Sequence, residues 1–313
     1  MKTSRRSFIN KTTAFGLVGG GAFILNVLSH AKEKKEMTHF KLTRRLRKKK
    51  PSTDAFVEQI ENIEIEIGRT ALIICDMWDL HHCKNAVDRV TQLAPRIDKL
   101  AKHLREVGCQ IIHAPSSCMK YYESHAARHR VSSVPTFETA PKDIGQWCHW
   151  MPDGEEEKNY PIDQSDGGCD SDPVQQKKFR QHLIDLGKNP GAPWTHQIKA
   201  IHIDEKKDYI SDDGVEIWNI MEHHDISNVL LVGVHTNMCV LGRPFGLRQM
   251  AKNKKNVHLI RDLTDTMYNP QSAPFVDHHE GTHLIIEHIE KYVCPTVSSD
   301  QFLGGEAFKF IAL

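Results

Sequence analysis

The chain has 313 residues, 39% of them hydrophobic and 26% charged, which is enough apolar material for a sizeable core and too much for a disordered chain. Its 41 Lys and Arg stand against 40 Asp and Glu, a formal net charge of +1, so no global basic surplus points to nucleic acid as a partner.

The first residues read as an address rather than as fold. Ser4-Arg5-Arg6-Ser7-Phe8-Ile9 fits the twin-arginine export pattern, and an apolar, glycine-containing stretch from Thr13 to Leu28 follows, ending in the small-x-small sequence Ser29-His30-Ala31. A signal peptide over 1–31, cleaved after Ala31, is expected, and with it a periplasmic or secreted location. The stretch is short for a stable membrane span; an uncleaved anchor or a cytosolic basic tail are the alternatives. Cleavage would remove two Lys and two Arg and no acid, taking the net charge from +1 to −3. Residues 32–64 read as a basic lead-in and linker, with Lys41, Arg44, Arg45, Arg47, Lys48, Lys49 and Lys50 before Pro51. Such a run is expected to be flexible and solvated, contact with anionic lipid or polymer being the other reading.

From 65 to 313 the chain reads as one domain. An apolar strand from Thr70 to Cys75 precedes a helix from about Lys84 to Val107, whose Val87, Val90, Leu93, Ile97, Leu100 and Leu104 recur every three or four residues, with Gly108 ending it. A strand from Cys109 to Ala114 comes next, then an insertion from about 115 to 199. Strand Ala200 to Ile203, helix Asp213 to His223, strand Asn228 to Val234, helix Val240 to Ala251 and strand Val257 to Ile260 complete the alternation. Gly281 to Lys291 reads as a closing helix and Cys294 to Ser299 as a last edge segment. Such β-α alternation predicts an α/β fold, a parallel sheet with helices on both faces in three layers. The insertion carries Tyr121, Tyr122, His125, Arg128, His129, Trp147, Trp150 and Trp194. A segment of that length is expected to serve as a lid or a subunit contact.

Chemistry concentrates at three strand ends. Gly233-Val234-His235-Thr236-Asn237-Met238-Cys239 puts a cysteine where a strand gives way to a helix, with Thr236 and Asn237 as candidate caps. Unpaired amides there favour thiolate and can hold an oxyanion. Asp76 ends the first strand and Lys207 follows the third, so the three can meet at the carboxyl edge of one sheet. Lys206 beside Lys207 leaves the register open by one residue. The expectation is that carboxylate and ammonium lie within about 5 Å of the Cys239 sulfur, as catalytic contact in an unliganded site requires.

These motifs resemble the isochorismatase-like cysteine hydrolases, a family that includes nicotinamidases and N-carbamoyl amide hydrolases; the resemblance spans roughly Ile65 to Ser299. It rests on Leu72-Ile73-Ile74-Cys75-Asp76-Met77, on Lys207-Asp208-Tyr209-Ile210-Ser211, and on the run from Gly233 to Val240. The resemblance implies an isochorismatase-like, Rossmann-like fold and a catalytic triad of Asp76, Lys207 and Cys239. It also implies an oxyanion hole from the backbone amides of His235 and Cys239, with a cis peptide between Val234 and His235. The implied activity is hydrolysis of a C–N bond in a small amide or carbamoyl compound through a thioester. Vinyl ether hydrolysis of the isochorismatase type, or a non-catalytic binding role on the same fold, are the alternatives.

The chain also departs from that pattern. Trp78 stands where many members have Gln, so substrate fit must differ. Trp78, His81 and His113 are candidate pocket residues, and Arg243, Arg248 or Arg261 could hold a substrate carboxylate or form ion pairs. His113-Ala114-Pro115-Ser116-Ser117 lacks the Asp-x-His of the nicotinamidase metal site. No cofactor is therefore expected, although 20 histidines leave a different divalent metal site open, with His125 and His129 at helical spacing. Of eight cysteines, Cys75 and Cys109 read as core, while Cys83, Cys118, Cys148 and Cys169 are the disulfide candidates, with pairing undetermined. The expected partners are a small-molecule substrate and further copies of the chain, with neither nucleic acid nor a stable membrane span after signal removal.

Overall fold

A computed structural model describes residues 38–152 and 154–311. The signal segment and the first part of the lead-in lie outside the described residues. Eight strands form one sheet: β1 His39–Lys49, β2 Phe56–Glu66, β3 Thr70–Cys75, β4 Gln110–Ala114, β5 Tyr209–Ile210, β6 Asn228–Val234, β7 Asn256–Asp265 and β8 Thr296–Val297. The helices are α1 Lys84–Val107, α2 Ala126–Val131, α3 Pro173–Asp185, α4 Gly214–His223, α5 Leu247–Lys252, α6 His278–Tyr292 and α7 Asp300–Leu303.

Spatial order in the sheet is β2-β1-β8-β7-β6-β3-β4-β5, parallel except where β1 meets β2 and β8. β3 and β6 are buried along their whole length, as continuous apolar runs between two helical layers must be. The apolar stripe of α1, including Val90, Leu93, Ile97, Leu100 and Leu104, fills one face of the sheet. On the other face pack Ile217, Ile220, Met221, Phe245, Ile285 and Ile289. Gly108 ends α1 with a left-handed φ of 109° and donates its N–H to the last turn.

Four expectations change. The lead-in is no linker in its described part: β1 and β2 form a long antiparallel hairpin that extends the sheet. Lys41 sits opposite Glu64, Arg44 opposite Glu61 and Arg47 opposite Glu58, so opposite charges face each other across the pair. The residues from Ala200 to Ile203 form no strand. Asp208 accepts from the Asp204 amide (2.7 Å), and Asp204 accepts from the amides of Lys206 (2.8 Å) and Lys207 (3.1 Å), which closes a turn. The strand beside β4 is instead the two-residue β5. The helix expected from Val240 to Ala251 is broken before α5, because Pro244 lacks an amide with which to continue it. Finally β8 is interior, since β1 covers its outer side.

All eight cysteines are free thiols, including the four disulfide candidates. Among the described residues no helix is long and apolar enough to cross a membrane.

Candidate active site

The chain leaves β3 outward through β4 and β5, then returns to place β6 on the other side of β3. The crevice beyond the carboxyl ends of β3 and β6 is therefore the point where strand order reverses, the usual ligand position in open α/β sheets. Cys75 and Gly233 pair across these strands. Gly233 has φ 109°, and a Cβ there would come within 1.9 Å of the Cys75 carbonyl oxygen, so only glycine lets the two strand ends approach.

Asp76 follows directly, at a positive φ of 48°, and its carboxylate is fully buried. One oxygen accepts the Ser116 amide at 2.7 Å; the other receives Arg243 Nε at 3.1 Å. Beyond β6 the Val234–His235 peptide is cis, as the family resemblance implied. A single wide turn follows over Thr236–Val240, in which the Val240 amide reaches the His235 carbonyl five residues back. Thr236 and Asn237 do not cap this turn. Thr236 bonds Thr264 on β7 (2.7 Å), while Asn237 holds the Met267 backbone by two bonds of 2.9 Å and Gln164 by one of 2.8 Å. The turn is thus stapled to the end of β7 and to the insertion.

Cys239 is presented by this turn beside Asp76 and Arg243, whose charges act on its thiol. Burial and the Asp76 carboxylate push the thiol above its usual range, with Arg243 opposing them. Burial likewise raises the Asp76 carboxyl, opposed by Arg243 and by the Ser116 hydrogen bond. A thiolate favoured by the turn's amides is what the sequence suggests; desolvation outweighs that effect, so the resting group is a thiol.

The lysine expectation fails on placement. Lys206 and Lys207 are both exposed on the turn before β5, and neither lines the cavity or contributes to the charges acting on the thiol. That turn buries Asp208 and so turns its lysines to solvent. Asp208 receives Arg105 through bonds of 2.7 and 2.6 Å and meets His113 at 3.0 Å. The cation beside Cys239 is Arg243. Its position, four residues after the cysteine, was the available signal, because such residues share one helical face.

A cavity of about 520 Å³ opens over the thiol. Trp78 and His81 line it, as expected; His113 does not, being fully buried on β4 between Gln197 and Asp208. Trp78 donates its indole N–H to the Ser116 carbonyl at 3.0 Å and stacks on Trp194 at 4.5 Å, so it serves as a flat wall. The insertion supplies Trp147, Trp150, Tyr160 and Trp194 to the same cavity. Its anchors are buried: Arg248 pairs with Glu155 (2.5 Å), to which His288 also bonds (2.8 Å), and Arg89 pairs with Asp170 (2.8 Å). Arg243 lies 4.9 Å from the Trp147 ring. Of the three arginines considered for substrate binding, Arg243 and Arg248 are thus held by internal carboxylates, and Arg261 is not part of this cavity.

Both arginines of the cavity are paired, Asp76 offsetting Arg243 and Glu155 offsetting Arg248, and burial pushes His81 down to about 3 and His235 well below its usual range, leaving these two rings neutral at pH 7. Among the described residues no group of three or more His, Cys, Asp or Glu is arranged to hold a metal ion.

No family model matches the chain, and no curated protein sequence matches it. Several solved structures are similar to this chain. A cysteine hydrolase from Pseudomonas syringae pv. phaseolicola is 14% identical, with 76% of this chain and 92% of that one covered and a TM-score of 0.44. An isochorismatase family protein from Burkholderia thailandensis is 12% identical over 75% and 93% of the two chains, TM-score 0.39. The N-carbamoylsarcosine amidase of Thermoplasma acidophilum is 12% identical over 74% and 97%, TM-score 0.38.

Proposed function

We propose that the chain is a cysteine hydrolase that cleaves a C–N bond in a small, neutral amide or carbamoyl compound. The observation that carries this reading is the Cys239 thiol lining an aromatic cavity beside the Asp76–Arg243 ion pair (3.1 Å), whose charges act on it. Asp76 takes the thiol proton as sulfur attacks the carbonyl carbon, and the amides of His235 and Cys239 receive the oxyanion. Arg243 offsets the negative charge that passes from carboxylate to sulfur. The C–N bond then breaks, the Asp76 proton leaves with the amine or ammonia, and a thioester remains. Water, losing its proton to Asp76, hydrolyses the thioester and restores the thiol.

Because Asp76 and Arg243 neutralise each other, as do Glu155 and Arg248, neither arginine of the cavity is free to take a dianionic substrate such as an isochorismate-type acid. That favours a neutral substrate over the vinyl ether alternative. The expected result of a screen with amides, ureas and carbamoyl compounds is ammonia or amine release that disappears in Cys239→Ala with the fold intact. A variant retaining activity within about tenfold, roughly 1.4 kcal/mol of barrier, would overturn nucleophilic catalysis. The twin-arginine segment supports export of the folded enzyme to the periplasm or beyond. Replacing Arg5 and Arg6 by Lys is expected to leave precursor in the cytoplasm, and undiminished export would refute it.

A further inference from the structure

A second cavity, of about 400 Å³, lies between β7, β1, α6 and the C-terminal segment, and shares no lining residue with the first. Arg45 and Arg261 come from the two strands, His279, Thr282, His283 and Ile286 from α6, and Phe308, Lys309 and Phe310 from the segment after α7. The two arginines differ in their partners. Arg45 is bound to the buried Glu290 at 2.7 Å. Arg261 has no ion pair or side-chain hydrogen bond among the described residues, and its Nη1 is buried without a partner. The one acid in the lining, Asp262, is committed elsewhere: it accepts from the Ser299 amide (2.8 Å), the Ser299 hydroxyl (2.6 Å) and the Phe308 amide (2.9 Å). Arg261 thus lacks the counter-charge that Glu290 gives Arg45, and a guanidinium left without one beside a cavity is costly unless a ligand supplies it.

We propose that this cavity binds a small organic carboxylate with an apolar body, the Arg261 guanidinium taking the carboxylate and Ile286, Phe308 and Phe310 the body. The planar fork of arginine matches a carboxylate edge, and the Lys309 ammonium lines the same space as a further donor. Phe308 and Phe310 meet edge to face at 5.1 Å, and Phe310 stacks on His279 at 5.5 Å, which gives an apolar wall against which a ring or short alkyl chain can lie. The volume falls in the range of small-molecule sites.

Isothermal titration of the mature protein with benzoate, and separately with inorganic phosphate, tests this assignment. The expected result is saturable benzoate binding, weakened at least about tenfold in Arg261→Gln and abolished in Thr282→Trp, which fills the cavity. Both variants are checked for native circular dichroism and melting temperature, and Trp78→Ala, in the other cavity, is expected to bind benzoate as the parent does. Absence of saturable benzoate binding up to about 20 mM overturns the proposal, as does affinity unchanged in folded Arg261→Gln or Thr282→Trp. Binding of phosphate in place of benzoate overturns the carboxylate assignment.

Discussion

At the scale of single residues, the cation beside Cys239 is the point on which sequence and structure part. Arg243→Gln leaves Asp76 buried without its counter-charge, and a loss of about 100-fold in kcat/KM is expected, comparable to removing one charge-stabilising donor. Lys207→Ala is expected to stay within about twofold, as exposed substitutions do. The reverse outcome, a silent Arg243 and a crippled Lys207, would return the role to lysine. The pH profile gives a separate reading. Asp76 must be ionised to take the proton, and its carboxyl is raised above the ordinary value, so activity should fall on acidification with a midpoint above 3.8. Arg243 lowers that carboxyl, hence the acid limb of Arg243→Gln should move to higher pH; a limb that stays put would show that Asp76 does not govern it. Asp76 and Cys239 were legible in the sequence because they sit at ends of uninterrupted apolar strands. The cation was not, because which face of a turn a lysine takes depends on Asp208, whose burial with Arg105 and His113 is a tertiary matter.

Among elements, legibility follows periodicity. β3, β6 and α1 have the expected limits because six or more residues share one pattern, and no partner can shift it. β5, with two residues, has no pattern to read. The hairpin left a different trace: Lys41, Arg44 and Arg47 recur at the same threefold spacing as Glu58, Glu61 and Glu64, mirrored about the turn after Pro51. A search for complementary charge, rather than for charge alone, would have found it. The approach of the strand ends carries an expectation of its own. Gly233→Ala would set a methyl against the Cys75 carbonyl in a left-handed backbone, so a loss of more than about 3 kcal/mol or failure to fold is expected from chemical denaturation. Gly242→Ala differs in kind. Its Cβ would press on the Trp147 ring at 2.6 Å, so the result expected is a raised KM with little change in stability. An unaltered KM would mean that Trp147 does not contact substrate.

For the molecule as a whole, buried ionisable groups set the response to acid. His81 is held down at about 3 and His258 at about 4 by burial, so both are neutral in the fold, while in the unfolded chain they protonate near 6.5. Glu155 and Asp208 are both held near 2 despite burial, by His288 and Arg248 for the first and by His113 and Arg105 for the second. In each case the folded value lies below the unfolded one, so the stabilisation is complete above the unfolded value and is lost as pH falls towards the folded one. The unfolding free energy should therefore decline from about pH 6.5 downward, first through the histidines and then more steeply below about 4.5 through the carboxylates. A denaturation midpoint constant from pH 7 to 4 would contradict this.

The groups proposed to react and most of the aromatic wall of the cavity, Trp78 being the exception, come from different stretches of chain. Asp76, His235, Cys239 and Arg243 all lie outside residues 115–199, whereas Trp147, Trp150, Tyr160 and Trp194 all lie within them. On the proposed reading, bond breaking and most of substrate choice are therefore encoded separately, and either can drift while the other is kept. Exchanging the aromatic residues of the insertion for smaller ones should widen the range of acceptable acyl groups while the thiol, the carboxylate and the guanidinium continue to do the same chemistry.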